Sequence, residues 1–245
     1  MSEKIKPFQV QHESFNYDLT RLEKKVNGIY NKFLKRIIGL ILALFIFVVL
    51  LPFFIAVSIA IIIDSGFPIF YRGERGGLNG RTFKIYKFRT MVKNADKIGG
   101  GTTALNDSRI TKVGHILRKT KLDEFPQIFN ILKGEMCFIG PRPELIRYTS
   151  QYDGAEEYIL KVRPGITDIS SIEFINLDEV VGSQNADEMY EKYVLKRKNH
   201  LRIKYAEKIS LLLDIKLFYL TVIRTANKML KVILKTEVKG GKGAA

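Results

Sequence analysis

The sequence predicts a helix-rich α/β fold with a small β-hairpin or sheet, carried on an N-terminal membrane-inserted, re-entrant helix broken at a proline and flanked by amphipathic interfacial helices. Three observations predict it. From Ile37 to Ile63 no residue carries a formal charge, and Pro52 sits in the middle of the run. Two short segments rich in aromatic and β-branched residues, Pro68 to Tyr71 and Thr82 to Phe88, flank the turn Gly76-Gly77-Leu78-Asn79-Gly80. Most of the remaining chain places apolar residues at helical spacing.

The uncharged run would extend roughly 40 Å as a straight helix, more than the ~30 Å hydrocarbon core of a bilayer requires. It is too long, begins too late and lacks the small-residue cleavage pattern of a signal peptide. Pro52 removes one backbone donor and its ring meets the carbonyl of Val48, which predicts a helix break at Leu51-Pro52. Both flanks are basic: Arg21, Lys24, Lys25, Lys32, Lys35 and Arg36 precede the run, and Arg72, Arg75, Arg81, Lys84, Lys87 and Arg89 follow it. The positive-inside preference therefore asks for both ends on the cytoplasmic side, which a helix that enters, breaks and returns would satisfy. An ordinary kinked span is the competing geometry.

Residues 17–36 read as an amphipathic helix through Leu19, Leu22, Val26, Ile29, Tyr30 and Phe33. Residues 94–109, with Gly99-Gly100-Gly101-Thr102-Thr103, read as a loop without the lysine that a Walker-type phosphate loop needs. Ile110 to Lys119 and Pro126 to Lys133 suit two short helices, the second closed by Gly134. Met189 to Tyr205 is helical in pattern. Glu207 to Lys235 is a long amphipathic stretch whose apolar positions suit either the core or the membrane interface. The organisation expected is an amphipathic extension at 1–36, the membrane helix at 37–66, a cytoplasmic catalytic domain at 67–205, an amphipathic helix at 206–236 and a disordered tail at 237–245.

Forty Lys and Arg against 25 Asp and Glu give a net charge of +15, which selects for anionic partners: nucleic acid, acidic lipid or phosphorylated substrates. Cys137 is the single cysteine, so no intrachain disulfide exists. His12, His115 and His200 lie far apart and show no zinc-ligand spacing.

The stretch richest in chemistry runs from Arg118 to Gly134. Pro126 is tolerated in a first helical turn, which places Asp123 and Glu124 at or just before a helix start, with Arg118, Lys119 and Lys121 immediately upstream. Two carboxylates there can cap the helix, hold Mg²⁺ together with substrate phosphates, or supply a nucleophile that attacks phosphorus. The local residues leave all three open.

Five segments occur in order after the proline-interrupted helix: Phe83-Lys84-Ile85-Tyr86-Lys87-Phe88-Arg89-Thr90-Met91, Leu122-Asp123-Glu124-Phe125-Pro126-Gln127, Leu132-Lys133-Gly134-Glu135-Met136, Ile139-Gly140-Pro141-Arg142-Pro143 and Val162-Arg163-Pro164-Gly165-Ile166-Thr167. Together, over about Phe33 to Ile223, they resemble the bacterial sugar transferase family, the monotopic polyprenyl-phosphate phosphoglycosyltransferases. The resemblance implies a ping-pong reaction on the cytoplasmic face of the bacterial inner membrane, with a UDP-sugar and a polyprenyl phosphate as substrates. It implies Asp123 as the nucleophile that carries a phosphosugar after UMP leaves, Glu124 with Asp123 at Mg²⁺, and Arg118 on phosphate. Lys87, Arg89, Arg142 and Arg163 are further anion contacts by the same reading, and anionic membrane lipids, not nucleic acid, are the expected partners of the remaining charge.

Two departures stand out. Many relatives carry Ser-Pro at the helix break, where this chain has Leu51-Pro52. After Gly165-Ile166-Thr167 many continue with Gly-Leu and a Gln, where this chain reads Asp168-Ile169-Ser170-Ser171-Ile172-Glu173. No sugar identity therefore transfers. The alternative from another class is a non-catalytic basic scaffold on the membrane that binds acidic lipid or nucleic acid; it explains the charge but not the carboxylate pair beside Pro126.

Overall fold

The structure is a computed structural model that describes residues 15–95, 107–175 and 186–240. The glycine-rich loop centred on Gly99 to Gly101, the first 14 residues and residues 241–245 lie outside the described residues.

Asp18 starts helix α1 (Leu19–Val26) by accepting a hydrogen bond from the Arg21 amide. The helical reading of residues 17–36 is interrupted: α1 ends at Asn27, and a π-helical turn over Tyr30–Leu34 leads into α2 (Lys35–Ser65). Leu22 and Val26 of α1 are buried in the domain core, whereas Ile29, Phe33 and Leu34 beyond it are exposed. The predicted amphipathic surface is thus divided: α1 packs inward, and in the following turn Tyr30 also packs on the core and donates to Asp214 (2.6 Å), while Phe33 and Leu34 face outward.

Helix α2 is long and apolar enough to cross a membrane by length and composition, yet it lies along the domain. Ala43, Phe54 and Ile61 are buried in the core, with Phe47, Leu50 and Val57 packed against the same cluster, a stripe at helical spacing. The opposite face, including Ile37, Ile41, Leu44, Phe45, Val48, Ile55, Ile59 and Ile63, is exposed. At Leu51-Pro52, where a break is expected, helical backbone runs on through Pro52. A proline deletes one donor and leaves most of its neighbours' bonds intact, and here Phe47 before Pro52 packs on Phe129 while Phe53 and Phe54 after it pack on Phe125, Phe129 and Phe88, holding both halves to one surface.

Both ends of α2 are tied down. Lys35 is buried on Asp214 (3.1 Å) and the Tyr205 hydroxyl (2.5 Å), while Arg36 donates to the carbonyls of Ile131 and Leu132. At the other end Arg89 Nη2 donates to the Ser65 and Gly66 carbonyls (2.7 and 2.6 Å), and Asp64 accepts from the Val113 amide (3.0 Å).

Strands β1 (Phe70–Gly76) and β2 (Thr82–Phe88) form the expected hairpin, with Phe70 opposite Phe88 and Gly76 opposite Thr82. Helix α3 (Lys112–Thr120) begins at the Thr111 cap, and α4 (Gln127–Lys133) follows Pro126 and closes on Gly134 at φ +86°. Strand β3 (Cys137–Ile139) is followed by two short helices, α5 (Ile146–Thr149) and α6 (Glu157–Leu160), and by β4 (Gly165–Thr167), which pairs parallel with β3. Among the described residues the α/β expectation therefore resolves into two separate two-stranded sheets within a helical frame. The parallel pair was not legible in advance, because three-residue strands carry no readable alternation. A Cβ on Gly165 would lie 2.1 Å from the Gly140 amide nitrogen, so this crossing requires glycine.

Short α7 (Ile169–Glu173) is capped by Asp168. Helix α8 (Ala186–Tyr190) passes through a π-helical turn into α9 (Lys196–Lys208), and α10 (Leu211–Gly240) extends four residues into the segment read as a tail. On α10, Leu217 is buried and Leu213 and Phe218 pack on the core, while Leu212, Ile215, Tyr219 and Val222 form an outward apolar stripe.

Candidate active site

Helix α3 ends because Lys121 adopts a left-handed conformation (φ 61°), and the chain then makes one 3₁₀ turn, Leu122–Glu124, before Pro126 opens α4. That turn holds both carboxylates in place. Asp123 is buried, and its Oδ1 has no hydrogen-bond partner. An orphaned buried carboxylate oxygen costs stability, and such atoms concentrate where a ligand or a reaction completes the set.

Glu124 is engaged from two sides. Lys87 reaches it from β2 with Nζ 2.9 Å from Oε1, and Arg142 donates to the same oxygen from the Pro141-Arg142-Pro143 segment after β3. Burial pushes Glu124 upward, but Arg142 and Lys87 outweigh it and hold the carboxyl well below its usual range. Asp123 goes the other way: burial raises it, Lys87 only partly opposes this, and the neighbouring Glu124 charge adds to the rise. The two adjacent carboxylates are thereby split into a firmly ionised partner and a more basic one.

The remaining candidates are placed as follows. Arg118, in the last turn of α3, donates from Nε to Thr90 Oγ1 (2.9 Å), and its charge and that of Lys121 bear on Asp123. A Cβ on Gly114 would lie 2.1 Å from the Thr90 carbonyl, so glycine there permits the approach of α3 that sets this contact. Arg89 caps the end of α2, leaving Nε and Nη1 buried without partners. Arg163 donates to the Gly134 carbonyl at the end of α4, and is not among the charges acting most strongly on either carboxylate. Lys87 and Arg142 are thus brought to the pair, Arg118 stands beside it, and Arg89 and Arg163 are engaged at helix ends.

Three features escaped the sequence reading. Gln127, one helical turn beyond Asp123, is fully buried with neither amide atom partnered. Asp168, fully buried, accepts from the Arg142 backbone amide (3.2 Å) while capping α7 through the Ser171 amide (2.6 Å). Arg202 is buried against Glu144 (2.8 Å) with Asp168 at 3.9 Å. Arg142 itself also donates to the Ile166 carbonyl (2.6 Å), so its guanidinium bridges β4 and Glu124. The departure at Asp168 was visible in the sequence, but its partner was not.

Lysine 87 offers a direct test of the electrostatics. Its charge lowers Asp123, so Lys87→Met is expected to raise the pKa of Asp123 further, moving the acid limb of the pH–rate profile to higher pH. An acid limb that stays in place would show that Asp123 does not set it.

The site thus pairs a buried Asp123 that carries an orphan oxygen with a partly buried Glu124 held ionised by cations from two elements, in a domain that also bears a long helix with an exposed apolar face. The sequence pattern of the bacterial sugar transferase family matches residues 30–228, and the chain belongs to that family. It is 34% identical over 227 residues to the UDP-glucose:undecaprenyl-phosphate glucose-1-phosphate transferase of Escherichia coli (strain K12), covering 86% of this chain and 46% of that protein. The exopolysaccharide production protein ExoY of Sinorhizobium fredii is 39% identical over 153 residues, covering 56% of this chain and 68% of that protein. The uncharacterized sugar transferase EpsL of Bacillus subtilis (strain 168) is 34% identical over 192 residues, covering 77% and 85%. The chain spans less than half the length of the glucose-1-phosphate transferases it matches.

Proposed function

We propose that this chain transfers a sugar 1-phosphate from a UDP-sugar to a polyprenyl phosphate such as undecaprenyl phosphate, giving a polyprenyl-diphosphate-sugar and UMP, as the first membrane step of glycoconjugate assembly. The observation that carries the reading is Asp123: a buried carboxylate with one oxygen unpartnered, beside a Glu124 held ionised by Lys87 and Arg142. The substrates follow the names of the relatives, which are undecaprenyl-phosphate sugar phosphotransferases.

In the first step the ionised Asp123 carboxylate attacks the sugar-bearing phosphorus. A carboxylate–phosphorus bond forms, the bridging phosphoanhydride bond breaks, and UMP leaves with the electron pair. In the second step an oxygen of polyprenyl phosphate attacks the same phosphorus and releases the Asp123 carboxylate. Arg118 and Lys121 offset the negative charge gathered around phosphorus.

The donor set fits Mg²⁺. Asp123 and Glu124 are adjacent hard oxygen ligands, of the kind an ion uses that takes one or two carboxylates and completes its shell with water and phosphates. Glu124 with Asp123 would hold the ion, which when bound neutralises charge on the diphosphate.

The same reading makes α2 monotopic. A helix docked along its length and at both ends on one domain has both flanks on one side of the bilayer, while its exposed face and the outward stripe of α10 meet lipid. The basic flanks support the cytoplasm as that side. Single cysteines introduced as Lys32→Cys and Arg72→Cys, with Cys137→Ser, are expected to react with an impermeant maleimide in inside-out vesicles and not in intact spheroplasts. Labelling of the two from opposite sides would establish a spanning helix.

The transfer itself is tested by presenting the full chain, in detergent or nanodiscs, with a panel of UDP-sugars, Mg²⁺ and undecaprenyl phosphate. UMP release with one sugar is the expected result. No release across the panel, with salt-sensitive binding to arbitrary DNA, would favour the scaffold reading.

A further inference from the structure

Away from the carboxylate pair, a cavity of about 160 Å³ opens between the turn before α2, the tip of the β-hairpin and the segment after α6. Its polar lining is Asn27, Asn31, Lys32, Asn79, Lys161 and Arg163, three amides and three cations without a carboxylate. Among the described residues, Lys32, Lys161 and Arg163 form no ion pair. Glu23, one turn before Asn27, is already held by the Asn27 amide and the Tyr158 hydroxyl. Behind the cavity, Arg163 and Arg36 converge on the end of α4, close enough to repel each other, and both spend donors on neutral carbonyls. Among the described residues the lining itself carries three cations and no carboxylate, and Glu23 is held at its edge by Asn27.

Its position suggests where the anion comes from. Asn31 and Lys32 share a turn with Ile29, Phe33 and Leu34, whose exposed side chains continue into the outer face of α2 through Ile37, Ile38 and Ile41. An apolar surface of that extent is covered by acyl chains, which puts the cavity mouth at headgroup level.

We propose that this cavity holds the phosphate group of an anionic membrane lipid, with Lys32, Lys161 and Arg163 as its cationic contacts. The lipid would then anchor the start of α2 from the headgroup layer, at a place separate from the site of sugar transfer.

Native mass spectrometry of the full chain in detergent, titrated with phosphatidylglycerol, phosphatidylcholine or inorganic phosphate, tests this. One phosphatidylglycerol per chain is expected to be retained in preference to phosphatidylcholine. The double variant Lys32→Gln with Lys161→Gln, both exposed positions, is expected to weaken that retention by about thirtyfold. A control pair on α9, Lys204→Gln with Lys208→Gln, removes the same charge from other exposed positions and should leave it unchanged. Equal loss in both pairs would reduce the effect to diffuse attraction and overturn the site. So would unaltered retention in the first pair, or binding of inorganic phosphate without selectivity for phosphatidylglycerol. None of these readouts involves UMP or sugar, so they fail or succeed separately from the transfer reaction.

Discussion

Asp123→Asn is expected to lower UMP release by about a thousandfold or more, and to abolish any mass increment corresponding to a phosphosugar on the protein. The substitution keeps size and shape but removes the negative charge and the lone-pair basicity that attack on phosphorus requires, the usual consequence of deleting a nucleophile. Folding should survive, because Oδ1 makes no hydrogen bond that the amide would have to replace. The check is intact-mass analysis after brief exposure to the active UDP-sugar, alongside initial rates. A normal adduct on the Asn variant would exclude Asp123 as its site, and intersecting rather than parallel initial-rate lines in the two substrates would replace the covalent path with direct attack in a ternary complex.

The second large effect is expected at Arg142. Its guanidinium joins the Ile166 carbonyl to Glu124, and its backbone amide is held by Asp168, so it acts as a positioning residue set by two elements. Arg142→Met leaves Glu124 with Lys87 alone, and a loss in kcat of about 10²- to 10³-fold is expected, the range seen when one pre-organised electrostatic contact is deleted. Arg142→Lys should rescue little, since an ammonium cannot make the two-armed bridge. A lysine variant with near-normal rate would reduce Arg142 to surface charge.

Part of the fold around this site is legible in local sequence. The short helix after Pro126, its glycine end at Gly134 and the hairpin around Gly76 to Gly80 rest on local sterics, which neighbouring residues alone specify. The pairing of Cys137 and Ile139 with Gly165 and Thr167 was not readable, because a parallel pair depends on a long return of the chain and on glycines that let two backbones meet. Gln127 was likewise silent: burial of a polar side chain at the first position of a helix leaves no mark in a hydrophobic pattern.

From the order of residues alone come the long uncharged helix, the basic flanks and the two carboxylates beside a proline, since each is a property of contiguous chain. Among five plausible cations, however, the sequence contains nothing that separates Lys87 and Arg142, which meet Glu124 from 37 and 18 residues away, from Arg89 and Arg163, which hold helix ends. Nor could it show that Pro52 lies within a continuous helix, because a proline's local cost is the same wherever it falls while the packing that outweighs it comes from Phe88, Phe125 and Phe129 on distant segments. Charge and length are local quantities; the choice of partner is made where the folded chain brings segments together.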